Sequence, residues 1–230
     1  MSLLRLLRIK LRLRRLQRAY YNARQPNDPV VVDYLRELAA ARALLLGGTP
    51  RKRALHAGSG AHYVAGWINA DRELQVPLDL VADFGRGIPL RDGSLQYIHS
   101  EDFLEHLDDA EGRRFLGECY RVLRPGGVMR LLTPDLDAIV RRVYLDREAR
   151  HLQWCGVYLG APTACEALNM HLRMSGDHRF VYDEEHLTAV LRGIGFEVRR
   201  GRYNASPDPF LRFLDLRDFG LNLFLECRRP

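Results

Sequence analysis

Lysine is almost missing from this chain of 230 residues. Only Lys10 and Lys52 occur, so chemistry that needs a lysine amine anywhere after Lys52 is excluded. Cysteine is scarce too: Cys119, Cys155, Cys165 and Cys227 lie far apart and form no Cys-x-x-Cys pair. That spacing suggests neither a disulfide framework nor a thiolate zinc site, and it points to a reducing cytoplasm. Acidic residues are absent from Met1 to Arg24, a segment that holds eight Lys/Arg. Subtracting those eight from the net charge of +6 leaves −2 for the remainder, so the basicity is local to the N-terminus. A near-neutral body argues against nucleic acid as the partner, because phosphate contacts require a basic surface. No internal repeat or low-complexity tract is present.

What is present is an ordinary core-forming composition, 47% hydrophobic and 28% charged. That is enough for one α/β domain with an appendage. In "MSLLRLLRIKLRLRRLQRAYYNAR" the leucines fall on one broad helical face, with Arg5, Arg8, Arg12 and Arg15 opposite; Lys10, Arg14 and Arg18 spoil the pattern. The segment is too charged to span a bilayer. Three readings stay open for it: a helix packed on its own domain, an interfacial anchor on anionic lipid, or a presequence or nucleic-acid arm. A second helix, "VVVDYLRELAAARALLLGG", follows the break at Pro26–Pro29 and closes the extension at Gly48.

From residue 49 onward the pattern alternates. Short apolar runs at Ala54–Ala57, Trp67–Ala70, Leu80–Ala82, Leu95–His99 and Val128–Leu132 read as strands. Asp109–Leu123 and Leu136–Arg150 read as helices, which predicts a parallel sheet with helical crossovers. His151–Val181 shows no clear period and is expected to be an insertion or lid over the sheet's carboxyl edge. A helix at "DEEHLTAVLRGIG" and strands at "FEVRRGRY" and "LNLFLECRR" complete the chain.

In open parallel sheets, ligands bind at the carboxyl ends of the strands. The first strand here ends in Gly58-Ser59-Gly60, where missing β-carbons let backbone N–H groups approach a ligand. The second ends at Asp71, whose two oxygens can accept both hydroxyls of a ribose. The third ends at Asp83-Phe84, an acceptor beside an apolar wall for a base, and the fourth in the polar run "HSEDFLEHL".

Together with "GWINAD" (Gly66–Asp71), "ADF" (Ala82–Phe84), "IPLRDGSLQYIHSEDFLEHL" (Ile88–Leu107) and "RVLRPGGVMRLLTPD" (Arg121–Asp135), these residues resemble the class I S-adenosylmethionine-dependent methyltransferases, in particular the methyltransferase type 11 group. The resemblance implies a Rossmann-like, mostly parallel seven-stranded sheet of order 3-2-1-4-5-7-6, its last strand antiparallel, with helices on both faces. It implies S-adenosylmethionine as cofactor, held by Ala57, Gly58, Ser59, Gly60, Asp71, Arg72, Asp83, Phe84, Ser100 and Glu101. It covers roughly Ala54 to Asp135, and the late strand pair more loosely. Two departures stand out. His56 replaces the acidic residue expected two positions before the first glycine, and only ten residues separate Gly60 from Asp71, too few for the usual crossover helix.

The resemblance implies O-methylation of a small-molecule or glycan acceptor, and the basic N-terminus suggests peripheral attachment at the inner face of a membrane. If the acceptor is a hydroxyl, a histidine is the natural base. The candidates are His178 and His171 in the insertion, preferred over His106 in "EHL", with Tyr182 beside them. Glu105-His106 also reads as a brace after the fourth strand. His171 and His178 lack a third ligand at a telling spacing, so no metal site is expected. A nicotinamide-dependent reductase is disfavoured: the third glycine of G-x-G-x-x-G and a Tyr-x-x-x-Lys lysine are both missing. A catalytically silent methyltransferase-like partner subunit is the non-enzymatic alternative.

Overall fold

The computed structural model describes residues 53–72, 78–212 and 214–230. The expected N-terminal extension, residues 1–48, lies outside the described residues.

Among the described residues, seven strands and five α-helices follow one another: β1 (Ala54–Ala57), β2 (Ile68–Asp71), β3 (Leu80–Val81), β4 (Leu95–Glu101), α1 (Asp109–Val122), β5 (Leu123–Pro134), α2 (Leu136–Ile139), α3 (Ala149–Leu159), α4 (Ala164–Arg173), α5 (Glu184–Ile194), β6 (Glu197–Arg200) and β7 (Asn222–Arg228). The strands form one sheet in the order β3-β2-β1-β4-β5-β7-β6. The pairs β1–β2, β2–β3 and β4–β5 are parallel, whereas β7 runs antiparallel to both β5 and β6. Order and strand directions are those implied by the resemblance. The described residues fall into two compact units, one ending at Val81 and the other spanning Ala82–Pro230.

In the first unit, β1 is buried along its whole length, as its unbroken apolar run requires. The crossover from Gly60 to β2 contains no helix and consists of turns. Asn69 holds it in place. Its Oδ1 accepts the Val64 N–H at 2.7 Å, and its Nδ2 donates to the carbonyls of Val64 (3.0 Å) and Trp67 (3.2 Å) and to Asp79 Oδ2 (3.2 Å). The indole of Trp67 is buried beneath that loop. The short "GWIN" spacing thus replaces a packed helix by one buried amide that satisfies the loop's backbone groups.

In the second unit, α1 begins with a capping box: Asp108 accepts from Glu111 N (2.8 Å) while Glu111 accepts from Asp108 N (3.2 Å). Phe115, Leu116, Cys119 and Val122 form its buried stripe. At its other end, Arg229 Nη1 donates to the carbonyls of Tyr120, Arg121 and Leu123, a cationic cap on the helix terminus. The entry into β5 is tight: a Cβ on Gly127 would stand 2.8 Å from Arg124 O, so only glycine fits there.

The stretch 151–181 differs from its aperiodic reading. It holds α3 and α4, each closed by a left-handed residue, Gly160 and Met174. Cys155, Ala161 and Ala167 bury a small core with Ile139, Val143 and Leu221. The alanines and cysteine let these helices approach closely, and such small buried residues give a weak hydropathy signal. The helix expected over Leu136–Arg150 is also broken, with π-type geometry over Val140–Leu145 before α3 begins.

Candidate functional site

The glycine turn after β1 is tied to the end of β2. Ser59 N donates to Ala70 O at 3.0 Å, and Gly60 N donates to Asp71 Oδ2 at 2.8 Å. Gly58 and Gly60 both take positive φ, 68° and 47°, which glycine adopts without the clash an L side chain meets. A Cβ on Gly60 would meet nothing within 4 Å, so the turn presents an open backbone face. Ser59 Oγ is buried and has no hydrogen-bond partner among the described residues. The Gly60 N–H holds the Asp71 carboxylate beside the turn. An open glycine face, an orphaned hydroxyl and a carboxylate held to them by one hydrogen bond fit a cofactor bearing a ribose. Ala57 is buried in register with Ala70, and Arg72 is exposed.

The residues expected at the next strand ends lie in the second unit. Asp83 is exposed; it accepts from Gly85 N at 3.1 Å and pairs with Arg86 at 3.2 Å. Phe84 is buried, its ring 5.7 Å from Phe103 and 5.8 Å from Phe115, so it is part of an aromatic core. Ser100 is buried in β4, and its Oγ has no partner among the described residues.

Glu101 differs from its expected role. Its Oε1 accepts the N–H groups of Leu216 and Arg217, and its Oε2 that of Leu216, all at 3.0 Å. It thereby anchors the β6–β7 connection to the end of β4. Burial pushes its carboxyl up to about 7.

Beyond β4 the chain turns through Asp102, at φ 48°, into a 3₁₀ turn, Leu104–His106. Glu105 is fully buried there and accepts from Thr133 Oγ1 at 3.0 Å. Burial, and then the Asp102 charge, push its carboxyl well above the usual range. The tail of the α3–α4 insertion is strapped to this turn: Arg179 N and Phe180 N donate to Glu105 O at 2.8 and 3.2 Å, and the Arg179 guanidinium pairs with Asp108 and Glu111. The strap places His178 against His106, ring centroids 5.1 Å apart.

Both imidazoles are oriented by backbone carbonyls. His106 Nδ1 lies 3.1 Å from Asp177 O, and His178 Nδ1 lies 2.7 Å from His171 O. A carbonyl accepts only an N–H, so each Nδ1 carries the proton, and in the neutral ring Nε2 keeps its lone pair. Burial lowers the pKa of His178, favouring that neutral form.

Of the preferred pair from the insertion, therefore, only His178 joins the site. His171 lies within the helical insert, its ring stacked on Trp154 and its Nε2 3.4 Å from Cys155 Sγ, and burial pushes it down to about 4. It contributes a carbonyl that orients His178, a role no sequence signal announced. Glu105 was read as bracing and stands in the cluster itself. Tyr182 packs over Gly112, where a Cβ would come within 2.4 Å of its hydroxyl, and burial raises its pKa.

Comparison with known proteins gives a family match and a likeness of fold. The methyltransferase domain family model matches residues 55–131, from β1 into β5. A Mycolicibacterium smegmatis protein named probable S-adenosylmethionine-dependent methyltransferase is 44% identical over 48 residues, which span 21% of this chain and 18% of that relative. Among solved structures, an S-adenosylmethionine-dependent methyltransferase from Archaeoglobus fulgidus superposes with a TM-score of 0.50 at 13% identity, covering 83% of this chain and 92% of that one. One from Mesorhizobium loti gives 0.49 at 15%, covering 85% and 100%. The first of these two is a likeness of fold. The family match lies on the strands that carry the motifs, so over residues 55–131 the chain is similar to the methyltransferase domain family.

Proposed function

We propose that this protein methylates a hydroxyl of a small-molecule or glycan acceptor, using S-adenosylmethionine held by the glycine turn and the strand ends. The observation that carries the cofactor assignment is the Gly60–Asp71 hydrogen bond beside an open glycine face. In this reading Asp71 takes the ribose hydroxyls, and Gly58, Ser59 and Gly60 supply backbone approach. Ala57 supports the strand end from within. When bound, S-adenosylmethionine supplies a methyl group activated on a sulfonium.

The protein's remaining tasks are positioning and proton removal. In-line displacement gains most from orientation, and a hydroxyl acceptor must also lose its proton. The His106–His178 pair suits that second task, because each Nδ1 is held by a carbonyl and leaves Nε2 as the basic atom. Methylation at oxygen is supported by this pair of oriented imidazoles; an amine acceptor would need less help.

Titration calorimetry with S-adenosylmethionine tests the reading. Asp71→Ala should weaken binding by about 1.5–3 kcal/mol with the fold intact, the range for losing a charged hydrogen-bond partner. Gly60→Val should abolish it, since the side chain would fill the open face. Unchanged affinity in both variants would refute the assignment. Among the described residues no helix is long and apolar enough to cross a membrane. We place the protein in the cytoplasm, with residues 1–24 as the basis of any attachment to an anionic surface.

A further inference from the structure

We propose that Glu105, His106 and His178 form a binding site for one divalent transition-metal ion, zinc being the ion their chemistry suits best. The inference rests on reading this cluster as the acceptor end of the enzyme. One ligand-type atom from each of the three side chains lies within 4.8 Å of the others. Proximity alone would be weak evidence, and the second observation concerns what stands behind the ligands.

Every one of the three has an oriented outer partner. Asp177 O fixes His106 Nδ1 and His171 O fixes His178 Nδ1, while Thr133 Oγ1 donates to Glu105 Oε2. Histidine ligands in metal sites characteristically donate their second N–H to a carbonyl or carboxylate, and ligating carboxylates are themselves hydrogen-bonded. The elements are also locked together, because Arg179 N and Phe180 N bind Glu105 O and so fix His178 relative to the 3₁₀ turn.

Two imidazoles and one carboxylate select borderline metals. Magnesium and calcium favour all-oxygen shells, whereas zinc takes a His₂Glu set and keeps its fourth position for water or substrate. An acceptor hydroxyl bound at that fourth position would have its pKa lowered. Its O–H bond then breaks with the proton passing to solvent water, and the oxygen keeps the electron pair for attack. With the ion bound, both histidines are its ligands and the metal takes over the proton removal that their Nε2 atoms serve in its absence.

The test uses the full-length, tag-free protein and needs neither S-adenosylmethionine nor acceptor. Calorimetry with zinc chloride should show one site per chain, and cobalt(II) loading should give visible absorption bands of a low-coordinate ion. His106→Ala and His178→Ala should each weaken zinc binding by more than about tenfold, and Glu105→Gln likewise. His186→Ala, a change on α5 outside the cluster, should leave it unchanged. Glu105 is fully buried and its variant may not fold, so the two partly exposed histidines, checked by thermal melting, carry the decision.

No zinc binding by the parent protein, or equal binding by both histidine variants, overturns the proposal. S-adenosylmethionine affinity of the histidine variants should match the parent. A failure of the cofactor assignment at Asp71 would therefore be seen separately from a failure here.

Discussion

Replacing Glu101 by glutamine should raise the stability of the protein at neutral and alkaline pH while changing little in acid. The buried carboxyl titrates near 7 in the fold, against an ordinary value of 4.5. A carboxyl whose folded pKa is raised favours folding in its protonated form. Its contribution is fully present below pH 4.5, falls as pH rises, and is lost once pH passes the folded value. The gap, 7 minus 4.5, multiplied by 1.36 kcal/mol per pH unit, gives about 3 kcal/mol for the whole change. Between pH 5 and pH 8, about 2–3 kcal/mol of it should disappear.

Glutamine mimics the protonated acid at this position. Its carbonyl can accept both N–H groups that Oε1 accepts, from Leu216 and Arg217. Its amide takes the place of Oε2, 3.4 Å from His99 Nε2, and gives up only one branch of the Leu216 N–H bond, whose other branch goes to the carbonyl. Urea denaturation followed by circular dichroism at pH 5, 6, 7 and 8 measures the effect. Near pH 5 the variant and parent midpoints should nearly coincide, and at pH 8 the variant should lead by about 1 M, for a slope of 2–3 kcal/mol per molar. Glu105 also has a raised pKa and remains in the variant, whereas Asp102, raised in part by the Glu101 charge, loses that repulsion and adds to the variant's lead at high pH. A stability difference that stays constant with pH would refute the argument.

Two further outcomes are expected. Asn69→Ala removes one acceptor and three donated bonds from the β1–β2 crossover and should cost about 2–4 kcal/mol by chemical denaturation, because buried backbone groups lose their partners; a loss under 1 kcal/mol would show that the loop holds itself. Deleting Met1–Arg24 should leave S-adenosylmethionine affinity unchanged while reducing co-sedimentation with anionic vesicles, at about 1 kcal/mol per basic residue near the surface; equal vesicle binding by both forms would refute the anchor.

The strands and their order were legible because each is a short apolar run ending in a chemically marked residue, and Pro125-Gly126-Gly127 punctuates the entry to β5. The helix over Asp109–Val122 was legible too, since its capping box and apolar stripe are local signals. The helical insert was not. Its α3 carries no capping side chain and, like α4, buries small residues and one cysteine, so its period is faint. The pairing of His178 with His106 was illegible for another reason. It depends on Arg179 and Phe180 binding a carbonyl more than seventy residues away, and sequence does not record a backbone acceptor. Glu101 shows the converse error: its type and its position at a strand end suited a ligand contact, and only the fold shows its oxygens turned to Leu216 and Arg217.

The connection from β6 to β7, residues 201–221, has no regular element, yet it is held as firmly as a strand by buried charge. Arg130, fully buried in the middle of β5, grips Asp215 with two hydrogen bonds, reaches Glu226 at 3.1 Å and donates to Arg202 O at 2.8 Å. Asp215 in turn accepts Asn204 N at 2.6 Å, and its backbone exchanges two 3.0 Å bonds with the Asn204 side chain. Glu101 holds the far end of the same stretch at Leu216 and Arg217. Removing one partner of a buried ion pair leaves an uncompensated charge, so Arg130→Met should destabilise the protein by about 3–5 kcal/mol. Lysine should not rescue it, because a single ammonium cannot reproduce the planar fork on Asp215. Combining Arg130→Met with Asp215→Asn should recover part of the loss by removing the orphaned charge. Limited proteolysis should show the first new cuts of Arg130→Met within residues 201–221. If that variant keeps parental stability and resists cleavage there, the connection is held by packing and the buried charges are incidental.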